Sequence, residues 1–129
     1  MIRKRHIVIV DDEANIGRSL RLILEGEGYR VSVFDSVAAF TADRDRSAAD
    51  VFLLDVRLPD GSGIDLLRSV RQSDDRSVVV MISGHGTVSD AVQATKMGAF
   101  DFLEKPLARD RVLLVVKNAL EWVDLHREN

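Results

Sequence analysis

Val51-Phe52-Leu53-Leu54 is an apolar run of four residues that halts at Asp55, and Leu58-Pro59-Asp60-Gly61 just behind it is a strong turn signal. A run this short, unbroken by polar residues, reads as a strand buried on both faces. The same pattern recurs at His6–Val10 and Val78–Ile82. Tyr29–Phe34 and Phe100–Leu103 are also strand-like, but Ser32 and Asp101 interrupt them. They are therefore expected at the two edges of a sheet whose middle is the three apolar runs.

Helical spacing fills the intervals. Ile16, Leu20, Ile23 and Leu24 stripe a first helix that Gly26 and Gly28 stop. Ser36 is placed to cap a second, Val37–Arg44. Ile64, Leu67 and Val70 stripe a third; Val88, Ala91, Val92 and Thr95 stripe a fourth, closed by Gly98. The last carries Val112, Val115, Val116, Ala119 and Val123. On this helix Leu113, Val116, Leu120 and Val123 repeat at 3-4-3 spacing, which fits a core face or a short dimer seam. Five βα units in succession imply one α/β domain, a parallel doubly wound sheet with helices on both faces.

Composition agrees and narrows the chemistry. The 129 residues suffice for one domain with a real core, and a 30% charged fraction is ordinary for a globular chain. The chain has no cysteine, which excludes disulfides, thiolate metal sites and cysteine nucleophiles and fits a cytoplasmic setting. Ile7–Val10 is too short for a leader or a membrane span, so no membrane association is expected. A formal charge of -3 speaks against direct nucleic-acid contact, and Arg3-Lys4-Arg5 reads as a solvated flank. His6 and His126 carry no signal above background.

In doubly wound sheets the ligand site lies outside the carboxyl ends of the strands. Those ends hold Asp11-Asp12-Glu13, Asp55, Ser83-Gly84 and Lys105-Pro106. Crowded carboxylates repel one another unless a cation neutralises them. Mg2+ suits such a cluster, since it takes one or two carboxylates with waters and phosphate oxygens. Lys105 offers a compact positive charge for a phosphoryl oxygen, and the Ser83 hydroxyl and Gly84 N–H are further donors. The set suits electrostatic stabilisation of a transferring phosphoryl group.

From Arg5 to Val123 these motifs, with Leu54-Asp55-Val56-Arg57-Leu58-Pro59-Asp60-Gly61, resemble the receiver domains of two-component response regulators. The resemblance implies a flavodoxin-like (βα)5 sandwich with strand order 2-1-3-4-5. It implies that Asp55 is the phosphoacceptor, supplied by a sensor histidine kinase. It further implies that Asp12 ligates Mg2+ directly, Asp11 mainly through water, and that Asp55 and the Arg57 backbone carbonyl complete the protein's share. Lys105 resembles the residue that pairs with the acceptor carboxylate, and Lys105-Pro106 is expected to be cis. Ser83 and Phe102 resemble the switch pair, although the family often has threonine and tyrosine there. Serine lacks the β-branched stiffness of threonine. Phenylalanine lacks the hydroxyl, so any coupling through Phe102 must be steric.

Ser83-Gly84-His85-Gly86-Thr87 and Lys96-Met97-Gly98-Ala99-Phe100-Asp101-Phe102 are similar to NtrC- and NtrX-type transcription regulators. In those, an AAA+ domain and a DNA-binding domain follow the receiver. Residues 1–123 are accordingly read as the receiver, and 124–129 as the end of the last helix or the start of a linker to such an effector. The chain is then a fragment or a stand-alone receiver. His85 reads as a loop histidine, with tuning of water access to the site as its functional alternative. The face of the fourth helix, fifth strand and fifth helix is the expected output surface and possible homodimer interface. A haloacid-dehalogenase-type hydrolase is the rival reading, but it needs an acid where Arg57 stands. A flavodoxin-like FMN protein is a further rival, which the acids after the first strand disfavour.

Overall fold

The structure is a computed structural model that describes residues 4–43, 49–73, 76–84 and 87–127. Its elements in chain order are β1 (His6–Val10), α1 (Ala14–Glu25), β2 (Arg30–Phe34), α2 (Val37–Ala42), β3 (Val51–Asp55), β4 (Arg57–Leu58), β5 (Gly61–Ser62), α3 (Gly63–Ser73), β6 (Val78–Ser83), α4 (Val88–Lys96), β7 (Asp101–Glu104) and α5 (Arg109–Arg127). The main sheet has the order β2-β1-β3-β6-β7, and all its pairings are parallel. With the two-residue strands β4 and β5 left out of the count, this is the expected 2-1-3-4-5 order. The uninterrupted apolar runs occupy the middle and the interrupted ones the edges.

Because side chains alternate across a strand, each central strand feeds two cores. Ile7, Ile9, Leu53, Val80 and Ile82 pack against α1 and α5; Val8, Val10, Phe52, Leu54, Val79 and Met81 pack on the opposite face. Removing one such chain, as in Leu53→Ala, would cost about 2–5 kcal/mol. The strand order reverses between β1 and β3, so their carboxyl ends flank the crevice where ligands bind in this architecture.

Some local expectations need correction and others are borne out. The α4 stripe Val88, Ala91, Val92 and Thr95 does not enter the core: Val88 is 83% and Val92 48% exposed, while Ala94 is the buried residue of that helix. The small Ala94 lets α4 approach the sheet, and this turns the valines outward. On α5 the 3-4-3 stripe is a core face, with Val116, Leu120 and Val123 buried in the monomer and Leu113 packed against that core. Gly26 stays in right-handed backbone at φ -60, and the left-handed turn after α1 falls on Gly28, φ +89. The Pro59-Asp60 turn is the tip of a small antiparallel hairpin, β4–β5. Ser36 does cap α2, its side chain accepting from the Ala39 N–H at 3.1 Å. That helix ends at Ala42, and Arg44, like His85 and Gly86, lies outside the described residues.

Candidate functional site

The site is assembled by backbone pairing. β3 carries Asp55 to its end, where the next N–H, of Val56, still donates to Ile82 O at 2.9 Å. The chain then folds back so tightly that the Gly63 N–H donates to Val56 O at 2.8 Å. A Cβ at Gly63 would lie 1.9 Å from the Asp55 carbonyl oxygen, so only glycine fits there. On the other side, the Lys105 N–H donates to Ser83 O at 2.8 Å and sets the lysine beside the end of β6. The Lys105-Pro106 peptide is cis.

Asp12, Glu13, Asp55, Arg57, Ser83, Gly84 and Lys105 line one cavity of about 200 Å³. Asp11 lies beneath it, 2% exposed, with Asp55 at 5% and Ser83 at 2%. Lys105 Nζ stands 2.8 Å from Glu13 Oε1, 2.9 Å from Asp11 Oδ2 and 3.1 Å from Asp55 Oδ2. Asp11 Oδ1 accepts from the Glu13 N–H at 2.8 Å, and Asp55 Oδ1 from the Arg57 N–H at 3.3 Å.

The charges do not balance. Burial pushes the Asp11 carboxyl above its ordinary range, and Asp55 adds to this against the lowering by Lys105 and the Glu13 N–H. Burial alone would lower the Lys105 ammonium, but its close contacts with the Glu13, Asp11 and Asp55 carboxylates outweigh it and raise it well above the usual lysine range. Lys105 is therefore a fixed positive charge at neutral pH.

Carboxylate oxygens of Asp11, Asp12 and Asp55 lie within 4.8 Å of one another, close enough to share a single cation. Asp11 Oδ2 is shielded from solvent and close to Lys105, yet makes no directed hydrogen bond. A hard divalent cation fits that donor set, which is all oxygen and carries excess negative charge.

Phe102 is half-buried away from this cavity. It lines a separate groove of about 500 Å³ with Val88, Ala91, Val92 and Thr95 of α4. Sequence reasoning named all of the cavity's strand-end residues, Glu13 among them as an acid after β1, but gave Glu13 no role. It also passed over Gly63, because a close backbone approach leaves no mark on hydrophobic periodicity. Asp60 was noted only as part of a turn, but its carboxylate accepts from the Val37 and Ala38 N–H groups at 2.8 and 2.9 Å. These bonds tie the Asp55 loop to α2 and hold the Asp60 carboxyl below its usual range.

Fold and site together define a doubly wound α/β domain with an acidic, lysine-bearing cavity at the switch in strand order. Residues 7–117 match the response regulator receiver domain family, and the chain belongs to it. It is a receiver domain of two-component response regulators, and its relatives include transcriptional regulators. It is 36% identical over 124 residues to the transcriptional regulatory protein FixJ of Bradyrhizobium diazoefficiens, covering 96% of this chain and 60% of that one. It is 38% identical over 124 residues to the nitrogen assimilation regulatory protein NtrX of Azorhizobium caulinodans, covering 95% and 27%. The beryllofluoride-activated NtrC4 receiver domain dimer superposes with a TM-score of 0.83 at 39% identity, covering 92% of this chain and 98% of that one. The chain spans between 54% and 60% of the length of the first curated relatives it matches. No described helix is long and apolar enough to cross a membrane.

Proposed function

We propose that Asp55 is the phosphoacceptor, taking its phosphoryl group from a phosphohistidine of a sensor kinase. The observation that carries this is the Lys105 ammonium 3.1 Å from a 5%-exposed Asp55, in a cavity whose acids can share a cation. A carboxylate oxygen of Asp55 attacks phosphorus in line; the P–N bond breaks, its electron pair returns to the imidazole, and an acyl phosphate forms. Lys105 meets the charge on the phosphoryl oxygens, and Ser83 and the Gly84 N–H, beside it at the end of β6, offer further donors. Asp11, Asp12, Asp55 and the Arg57 carbonyl would hold Mg2+, which supplies charge neutralisation for the transferring group. Attack by water on the acyl phosphate at the same site would reset the domain, with no external metabolite turned over.

The output face in this reading is α4, β7 and α5. Its groove is apolar and open, and Ser83, at the end of β6, is linked to β7 by the Lys105 N–H. Movement of Ser83 toward the phosphoryl group would repack Phe102 sterically and change that groove. The partner there would be a second receiver, a reading supported by the existence of an NtrC4 receiver dimer, or the AAA+ and DNA-binding effector that the NtrC/NtrX resemblance implies, regulating transcription. Residues 1–123 would form the receiver, with the last turns of α5 leading to that effector, all of it in the cytoplasm.

The test is incubation with acetyl phosphate, with and without Mg2+, followed by intact mass measurement. The expected result is one added phosphoryl group on wild type only with Mg2+, and at least a hundredfold less on Asp55→Asn. Equal labelling of the two proteins would overturn the assignment, and steady turnover of a phosphomonoester would favour the hydrolase.

A further inference from the structure

We infer that Glu13 is a positioning residue for Lys105, holding its ammonium at the mouth of the cavity until a phosphoryl group displaces it. The inference rests on the phosphoacceptor reading of Asp55 and concerns a residue that the reading leaves without a role.

Glu13 breaks a local rule. It occupies the N-cap position of α1 with extended backbone, φ -81 and ψ 109, where Ser, Thr, Asp or Asn is favoured because a short side chain can bond the helix N–H groups. The Glu13 side chain makes no capping bond. It reaches instead across 92 residues of sequence to Lys105, at 2.8 Å the shortest of the ammonium's three carboxylate contacts. A local preference set aside in favour of a specific long-range contact marks a functional constraint.

An ammonium has three N–H donors and no acceptor. The carboxylates of Glu13, Asp11 and Asp55 surround it in this structure. Asp11 and Asp55 also belong to the carboxylate trio that can share a cation, and Glu13 does not. Once Asp11 and Asp55 turn to a cation, Glu13 is the carboxylate Lys105 keeps. Glu13 therefore favours cation binding, by giving the displaced ammonium a counter-charge. It opposes phosphoryl entry, because a phosphoryl oxygen must compete with it for the same donors. Its side chain is 59% exposed, so solvent screens the contact and limits each effect to about two- to fivefold.

These two effects have opposite signs, which separates positioning from a merely structural role. The experiment uses the full chain as wild type, Glu13→Gln and Glu13→Asp. Mg2+ affinity is measured by calorimetry, and the acetyl phosphate KM and maximal labelling rate by intact mass at saturating Mg2+. Glu13→Gln is expected to weaken Mg2+ binding about two- to fivefold and to lower the acetyl phosphate KM by a similar factor, its maximal rate changing less than the KM. Glu13→Asp keeps the charge but withdraws it by about one bond length, roughly 1.5 Å, and is expected to lower the KM as Glu13→Gln does. A Glu13→Asp variant with the wild-type KM would show that charge alone acts, and would overturn the inference. So would a Glu13→Gln variant changed only in Tm. A wild type that accepts no phosphoryl group would overturn the proposed function itself, and the inference with it.

Discussion

Both ends of the parallel sheet bury polar side chains, but among the described residues they are arranged differently: one end crowds several carboxylates around one ammonium. At the amino end Asp50 is 0%, His6 1% and Ser77 0% exposed. The His6 N–H donates to Asp50 Oδ2 at 2.8 Å, the Asp50 N–H returns a bond to His6 O at 2.8 Å, and the His6 ring meets Ser32 Oγ at 2.8 Å. Arg71 reaches the Ser77 carbonyl from α3. Each of these contacts stitches one strand or helix to its neighbour. At the carboxyl end Asp11, Asp55 and Ser83 are as deeply buried, yet a single ammonium faces Asp11, Glu13 and Asp55. Burial of polar groups alone does not identify a site; the crowding of carboxylates around Lys105 at one end does. The amino end ties its polar groups into strand and helix pairing, whereas the carboxyl end gathers carboxylates close enough to share a cation.

The largest way to disturb this contrast is at the backbone that builds the carboxyl end. Gly63→Ala would push a methyl group into the Asp55 carbonyl, and is expected to cost about 3 kcal/mol or more and to reduce phosphoryl uptake. Urea unfolding measures the first and acetyl phosphate labelling the second. At the amino end, Asp50→Ala would leave the buried His6 N–H without its carboxylate, at a cost of about 1–3 kcal/mol. Labelling of Asp55 per folded molecule should be unchanged, since Asp50 lies at the far end of β3.

Asp11→Asn should act in the opposite direction. A carboxyl raised in the folded state binds its proton more tightly there than in the unfolded chain. Its contribution to stability is then greatest below the unfolded value of 3.8 and falls as pH rises through the raised folded value. In metal-free buffer at pH 7, Asp11→Asn should therefore raise Tm, by about 2–4 °C, with the gain gone at a pH below the unfolded value. Mg2+ should reverse the order, raising the wild-type Tm more than that of the variant. The smallest effect is expected from Asp60→Ala, which removes the tie between the hairpin and α2 and should lower Tm by about 2 °C at pH 7. Because the folded Asp60 value is lowered, the wild-type advantage is present above 3.8 and disappears as pH falls through the folded value. Thermal melts across pH check both variants.

The carboxyl-end half of this contrast was legible from residue order. Apolar runs on β1, β3 and β6 marked the middle of the sheet, and the topological rule then pointed to their carboxyl ends before any motif was considered. What escaped has physical causes. Periodicity finds an apolar stripe on α4 but not which way it faces; Ala94 decides that by its small size, and the stripe opens onto the Phe102 groove instead. The α5 stripe carries the same kind of signal and does enter the core. The reach of Glu13 to Lys105 and the fit of Gly63 against Asp55 depend on distances between segments far apart in the chain, which no local pattern encodes. The buried His6 looked like background because its partners, Asp50 and Ser32, sit on other segments.

In the proposed reading, the crowded carboxylates and the lysine at the carboxyl end make Asp55 a Mg2+-dependent phosphoacceptor. Borohydride reduction of the labelled protein converts an aspartyl phosphate to homoserine, and peptide mass mapping then locates it. Homoserine at position 55 alone, formed only when Mg2+ was present during labelling, is the expected result. Homoserine at Asp11, Asp12 or Asp50, or at position 55 in equal yield without Mg2+, would contradict the account.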